Sequence, residues 1–310
     1  RVAAAGPPSV PSQPLGDPAA LPSSINRGAL VKELQTMLNS KETNVKRLLC
    51  TPHGLNREVQ CDVLRVGKSN TYRCYLRLSG SDHRRMCIFE ATRSRVGKLK
   101  NSQYRVMMPS ADPRLLEPSV GALDTDALDA VLYCGKVRSY NLSGANFAVY
   151  DDGVKVDNGE KLPDGAHPRR QLAALTFNKS SSRRVPMTMR VLVPTPGTAD
   201  AGLDLLEALQ ALPIEERVEM PEDMQLLKLV PPRWNADEQM FQLFCEGRAS
   251  CMSNKNVQLA NTAAPHEAAL QVGKLSNNMF NVDMRGVVSP YQAFCSALAV
   301  FDQSSVRRRF

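Results

Sequence analysis

From about residue 45 onward, apolar and polar positions alternate with a period of two. In Thr71-Tyr72-Arg73-Cys74-Tyr75-Leu76-Arg77-Leu78 one face carries Tyr72, Cys74, Leu76 and Leu78, and the other carries Arg73, Tyr75 and Arg77. That pattern predicts a strand with one buried and one wet side. Shorter runs of the same kind are Val59–Val66, Met86–Thr92, Tyr104–Met108, Ala130–Val137, Phe147–Tyr150, Leu172–Phe177, Met187–Val193, Met240–Cys245 and Gln258–Ala260. Turn pairs separate many of them, among them Ser79-Gly80, Asp152-Gly153, Asn158-Gly159 and Pro196-Gly197. Many short strands with wet outer faces predict an antiparallel sandwich or barrel.

Three segments change period. Residues 29–39 place Leu30, Leu34, Met37 and Leu38 at helical spacing, so a short amphipathic helix is expected there. Ala201–Leu212 predicts a second helix within an acidic connection, stopped by Pro213. The third begins with Ser289-Pro290, a good N-cap and first-turn pair. It continues through Tyr291, Phe294, Leu298, Val300 and Phe301 with no charge between Arg285 and Asp302. A helix that is apolar nearly all round must be enclosed by protein. Burying those five side chains contributes about 1.5–3 kcal/mol each, and sheet is the only enclosure the pattern offers. The predicted fold is therefore mainly β, a closed antiparallel barrel around a buried hydrophobic C-terminal helix. Residues 1–25 hold six prolines among Ala, Ser and Gly. Residues 1–44 accordingly read as a Pro-rich flexible tail carrying the short helix, and 45–310 as the barrel domain.

Composition excludes more than it assigns. With 310 residues, 43% of them hydrophobic, the chain is long and apolar enough for a real core. No apolar run approaches the ~20 residues of a membrane-spanning helix. Arg1–Pro8 lacks the apolar centre of a signal peptide, and the absence of a leading Met suggests part of a longer chain. None of the eight cysteines is spaced Cys-x-x-Cys, so reduced thiols of an intracellular protein are expected. The four histidines are scattered and no hydrolase, zinc-protease or P-loop motif occurs. No enzymatic activity, cofactor or metal is expected. Asp151-Asp152 with Asp157-Asn158 lacks the full calcium-loop pattern and reads as a tight turn.

The charge is localised. Of a net +8, residues 45–110 carry +10, with fourteen basic groups against Glu58, Asp62, Asp82 and Glu90. Such a field suggests a polyanionic partner: nucleic acid, acidic protein or anionic lipid.

Several motifs in order resemble the C-terminal domain of the Tubby family. They are Pro231-Pro232-Arg233-Trp234-Asn235, Gly247-Arg248-Ala249-Ser250, Ser253-Asn254-Lys255-Asn256-Val257-Gln258-Leu259, Gln271-Val272-Gly273-Lys274, Phe280-Asn281-Val282-Asp283-Met284, and Tyr291-Gln292-Ala293-Phe294 through Phe301-Asp302. Upstream, Gly135-Lys136-Val137-Arg138-Ser139, then Phe147-Ala148-Val149-Tyr150-Asp151-Asp152-Gly153, then Met189-Arg190-Val191-Leu192-Val193-Pro194 fit the same order. The resemblance spans roughly 45–310, with a variable acidic insertion near 198–228. It implies a barrel of about twelve strands around the C-terminal helix.

It also implies a site for phosphatidylinositol 4,5-bisphosphate. The family's Lys-x-Arg falls on Lys136 and Arg138, which as residues i and i+2 of a strand share a face. The arginine before the Glu-Leu-Ala-Ala strand falls on Arg169, with Arg170 as basic neighbour. The family's Asn in Ser-Asn-Tyr is replaced by Gln103, one methylene longer. A dense basic run is diluted to Arg93-Ser94-Arg95-Val96-Gly97-Lys98-Leu99-Lys100. Trp234 is expected in the core, and Lys255 and Lys274 as structural or surface residues. The implied role is a non-enzymatic module docking reversibly on the cytoplasmic leaflet of the plasma or ciliary membrane, adapting cargo or transport proteins for ciliary or flagellar trafficking or signalling. The alternatives are a nucleic-acid-binding, transcription-related protein and a structural component of a larger assembly.

Overall fold

A computed structural model describes residues 32, 36, 45–52, 54–67, 70–77, 85–98, 101–109, 132–141, 145–156, 161–178, 187–198, 203–214, 219–237, 240–245 and 247–306. Most of the expected 29–39 helix lies outside the described residues. Lys32 and Thr36, which are described, are helical, and the Thr36 hydroxyl donates to the Lys32 carbonyl at 2.9 Å.

The strands are β1 (Gly54–Arg65), β2 (Thr71–Arg77), β3 (Arg85–Val96), β4 (Asn101–Met108), β5 (Leu132–Ser139), β6 (Asn146–Tyr150) and β7 (Gln171–Asn178). They continue with β8 (Thr188–Pro194), β9 (Met224–Leu229), β10 (Arg233–Asn235), β11 (Met240–Gln242), β12 (Val257–Asn261), β13 (Ala264–Lys274) and β14 (Met279–Gly286). The helices are α1 (Val45–Cys50), α2 (Leu205–Ala211) and α3 (Pro290–Val306). Twelve strands close a barrel in the order β1-β14-β13-β12-β9-β8-β7-β6-β5-β4-β3-β2. Every neighbour pair is antiparallel and most are consecutive, so short turns suffice to connect them. The exception is the β10–β11 hairpin, which pairs only with itself and stands off the barrel.

Alternation builds the wall. Along β2, Tyr72, Cys74 and Leu76 are buried while Thr71, Arg73, Tyr75 and Arg77 are half-buried, as the pattern predicts. α3 fills the lumen, with Tyr291, Phe294, Leu298 and Phe301 all buried. Its start is a capping box. The Gln292 amide donates to Ser289 Oγ at 3.2 Å, and the Ser289 amide donates to Gln292 Oε1 at 2.9 Å. Phe294 stacks on Phe89 at 5.9 Å, and Phe301 sits 4.2 Å from Phe280 and 5.5 Å from Tyr72, centroid to centroid. α1 packs against α3 through the same apolar cluster, burying Leu48 and Leu49. At the far end of α3 the buried Asp302 carboxylate pairs with Arg93, and Tyr104 Oη donates to it at 3.1 Å. A buried carboxylate is tolerable only when so satisfied.

A second small core lies outside the barrel. α2 packs on β7 and β8, and Leu205, Leu206 and Leu209 cover Ala174, Leu192 and Leu226. The helix is shorter than its sequence pattern, because Asp204 caps it, its carboxylate accepting from the Leu206 and Glu207 amides. Arg190 closes the other end by donating to the Leu209, Leu212 and Pro213 carbonyls.

Other expectations are corrected. β9, β10, β13 and β14 have no counterpart among the runs read from the sequence. The run Met240–Cys245 shrinks to a strand ending at Gln242, in the hairpin outside the barrel. That placement also corrects Trp234: it is 48% exposed and packs edge-on against Phe241 across the hairpin rather than in the core. The eight cysteines are free thiols, five of them buried and Cys50, Cys87 and Cys251 half-buried. No helix among the described residues is long and apolar enough to cross a membrane.

A candidate anion-binding face on β4, β5 and β6

Three neighbouring strands set the geometry. Pairing of β4 with β5 places Gln103 opposite Arg138 and Arg105 opposite Lys136. Pairing of β5 with β6 places Lys136 opposite Tyr150. Tyr104, Val106 and Val137 are the intervening buried residues. The period of two therefore sends Gln103, Arg105, Lys136 and Arg138 to the outer face together. A bulge at Cys134 interrupts the register just before Lys136, between the pairs Val106–Gly135 and Met107–Tyr133. Gly135 adopts φ +143°, and a Cβ there would lie 2.1 Å from the Tyr150 carbonyl oxygen and 2.4 Å from Tyr291 Oη. Its lack of a side chain lets Tyr291 Oη donate to that carbonyl at 2.7 Å, which ties the strand pair to α3.

The cations on this face are held by rings. The Arg105 guanidinium lies 5.5 Å from the Tyr133 ring centroid, the Lys136 ammonium 5.7 Å from that of Tyr150, and the Arg138 guanidinium 5.5 Å from that of Tyr140. The Tyr140 and Tyr150 hydroxyls hydrogen-bond to each other. Arg169 joins from the segment leading into β7, its Nε donating to the Gly153 carbonyl at 3.1 Å. Burial first, then the fields of Arg169, Arg138 and Arg105, push the Lys136 ammonium below its ordinary pKa. Burial, followed by the hydrogen bond with Tyr140, pushes the Tyr150 hydroxyl upward. Among the described residues, no carboxylate forms an ion pair with Arg105, Lys136, Arg138 or Arg169. Arg138 Nε is buried without a hydrogen-bond partner.

The nearest acids are engaged elsewhere. Asp151 accepts from the Gly153 and Arg170 amides at 3.0 Å and pairs with Arg170 Nε at 2.9 Å. Asp152 pairs with Lys46, whose ammonium also donates to the Tyr133 carbonyl at 3.2 Å. Ligand atoms of Asp151, Asp152 and His167 lie within 4.8 Å of one another. The partners of both carboxylates are already cations, an arrangement of turn and ion pairs rather than a metal cage.

Of the five residues singled out in the sequence, Gln103, Lys136 and Arg138 share one face, and Arg169 lies within their electrostatic reach. Arg170 turns to Asp151. Arg105 was missed, although its position two residues beyond Gln103 on a strand was the available signal. In the basic run, Arg93 is drawn inward to Asp302, while Leu99 and Lys100 lie outside the described residues. Lys255 sits over the Phe280 and Phe301 rings at 5.1 and 5.6 Å, a structural position. What remains outside is a compact set of cations with an amide beside it. Such a set suits a ligand with adjacent phosphates, which an arginine engages two oxygens at a time and a lysine as a point charge.

The Tub family model matches residues 49–303. Tubby-related protein 3 of Mus musculus is 28% identical over 267 residues, 81% of this chain and 52% of that protein. Tubby protein homolog 1 of Caenorhabditis elegans is 28% identical over 243 residues, 76% of this chain and 53% of that protein. Protein king tubby 1 of Aedes aegypti is 31% identical over 180 residues, 55% of this chain and 40% of that protein. The chain spans about half the length of such relatives or less.

Proposed function

The chain belongs to the Tub family, and from that premise we propose that it is a non-catalytic module whose β4–β6 face binds the phosphorylated headgroup of phosphatidylinositol 4,5-bisphosphate. One observation carries the reading: Arg105, Lys136, Arg138 and Arg169 gather on one surface with no carboxylate pairing them among the described residues, and Arg138 Nε is buried with its hydrogen bond unused. A buried unpaired donor costs about 1–3 kcal/mol, and a phosphate oxygen relieves that cost. Gln103, opposite Arg138, offers an amide to the same ligand. In this reading the module docks reversibly on the cytoplasmic leaflet of the plasma or ciliary membrane. It presents cargo or transport proteins there for ciliary or flagellar trafficking or signalling.

A nucleic-acid partner has less support. Part of the basic stretch that suggests it is engaged by carboxylates within the fold: Arg73 pairs with Glu90, Arg77 and Arg85 with Asp62, and Arg93 with Asp302.

The test is vesicle flotation across inositide headgroups at two salt concentrations. Selective flotation with the 4,5-bisphosphate, weakened by salt and lost in Lys136→Ala/Arg138→Ala with an unchanged melting temperature, is the expected result. Flotation that persists in the double variant rejects the site.

A further inference from the structure

Two carboxylates lie beside the cationic face, and each is occupied by a different part of the chain. Asp151 is held locally, by the Gly153 and Arg170 amides and by Arg170 Nε. Asp152 is held from a distance in sequence. Its partner is the ammonium of Lys46, 106 residues earlier, on α1. His167 Nε2 lies 3.4 Å from the other Asp152 oxygen, but an imidazole carries charge only toward the acid range. Burial works the other way, yet Lys46 holds the Asp152 carboxyl below its ordinary pKa.

Asp152 stands close to cations that a phosphorylated ligand would use. Arg169 Nε donates to the carbonyl of the next residue, Gly153, at 3.1 Å. A Cβ on Gly153 would lie 2.6 Å from Arg169 Cα, so the chain at 153 and the chain at 169 are in direct contact. On the other side, Lys46 donates to the Tyr133 carbonyl at 3.2 Å, and the Tyr133 ring centroid lies 5.5 Å from the Arg105 guanidinium. The Tyr133 hydroxyl feels all of these charges at once. Burial pushes its pKa up, Arg169 and Arg105 pull it down, and Asp152 and Asp151 push it up. A carboxylate set loose here would find two guanidiniums that no other carboxylate claims among the described residues. The ammonium that prevents this is delivered by the docking of α1, whose Leu48 and Leu49 are buried against the core that contains α3.

We propose that Lys46 is a positioning residue of the headgroup site: it engages Asp152 and so keeps that carboxylate from neutralising Arg169 and Arg105. This role rests on the headgroup reading above and adds what keeps the site open. Lys46 acts on the ligand only through Asp152. Seating of α1 thereby becomes a condition for binding, because its displacement lets the protein's own carboxylate take the place of a phosphate.

The test is a double-mutant cycle on the full chain at pH 8. It reads affinity for phosphatidylcholine vesicles containing phosphatidylinositol 4,5-bisphosphate, with melting temperature alongside. Lys46→Met keeps the apolar stem and removes the charge, and affinity should fall about tenfold. Asp152→Asn should bind at least as well as wild type. Lys46→Met/Asp152→Asn should return to within about twofold of wild type. Neither a direct phosphate contact by Lys46 nor a simple loss of stability gives that rescue. A double variant as weak as Lys46→Met, or a Lys46→Met variant that binds like wild type, overturns the role of Lys46 and leaves the headgroup site standing. If Lys46→Met melts below the assay temperature, Lys46→Gln, which retains a donor for the Tyr133 carbonyl, takes its place in the cycle. Failure of the wild type and of Asp152→Asn to bind the vesicles overturns the headgroup reading and the role of Lys46 with it.

Discussion

Two faces of the same barrel carry cations in opposite ways. On the β1, β2, β3, β13 and β14 side, arginines meet carboxylates. Arg77 and Arg85 each lie 2.9 Å from Asp62, Arg285 lies 3.0 Å from Glu58, and Arg248 grips Asp283 at 2.6 and 2.8 Å. On the β4, β5 and β6 side, Arg105, Lys136 and Arg138 meet tyrosine rings. The difference is between cancelling a charge and merely placing it. A carboxylate neutralises its partner and closes the strand neighbours into a network. A ring holds a cation through its quadrupole, for about 0.5–1 kcal/mol at an exposed site, and leaves its charge intact for a ligand. One face spends its cations on the fold and the other keeps them available.

Removing a charge from each face should therefore have opposite consequences. The largest effect is expected from Asp62→Ala. Asp62 is 1% exposed, and its loss strands Arg77 and Arg85 over buried surface. Removing one partner of a buried pair costs 3–5 kcal/mol; with both arginines about one-third exposed, about 3 kcal/mol of unfolding free energy should be lost. Denaturant titration measures it, and headgroup affinity of the folded fraction should be unchanged. Next comes Gln103→Glu, which makes the binding face imitate the paired one by placing a carboxylate opposite Arg138. Inositide affinity should fall about 30-fold while the melting temperature holds or rises. A fall in both would mean that the face is structural.

Arg105→Ala sharpens the contrast within the binding face. It should weaken vesicle binding about tenfold without loss of stability, since no carboxylate is orphaned. The smallest effect concerns pH. Burial and three neighbouring cations lower the Lys136 pKa, and a bound phosphate raises it again. Below the lowered value, free and bound protein both hold the proton and affinity is on its plateau. As pH rises through that value, binding must take up a proton, so affinity falls on the alkaline side by about threefold. Lys136→Arg should flatten the fall in a pH series of flotation assays. A fall that persists in the arginine variant assigns the titration to another group.

What the sequence reveals follows from how far each interaction reaches along the chain. α3 was legible because its lack of charge and its Ser289-Pro290 opening are local, and the alternation of β2 is local too. Lys136 and Arg138 share a face by the period of a single strand. Which cations of the basic 45–110 stretch meet carboxylates was not legible. Arg85 reaches Asp62 only through strand register, and Arg93 reaches Asp302 only because α3 returns through the lumen. Arg169 and Arg170 are sequence neighbours with different fates, since successive residues of an extended chain point to opposite sides; Arg170 found Asp151. Trp234 misled because a large apolar side chain on a strand suggests a core, and nothing local told that its hairpin leaves the barrel.

The barrel closes by pairing its first strand with its last, Val63 facing Phe280, and its lumen is filled by a helix that follows every strand in the chain. A ribosome making this protein therefore extrudes the staves before the hoop. Until α3 emerges, the growing sheet has two bare edges and an empty interior, both invitations to aggregate. Closure around a filled interior must therefore wait for α3, and a truncation inside α3 takes away the filling of the lumen rather than merely shortening the module.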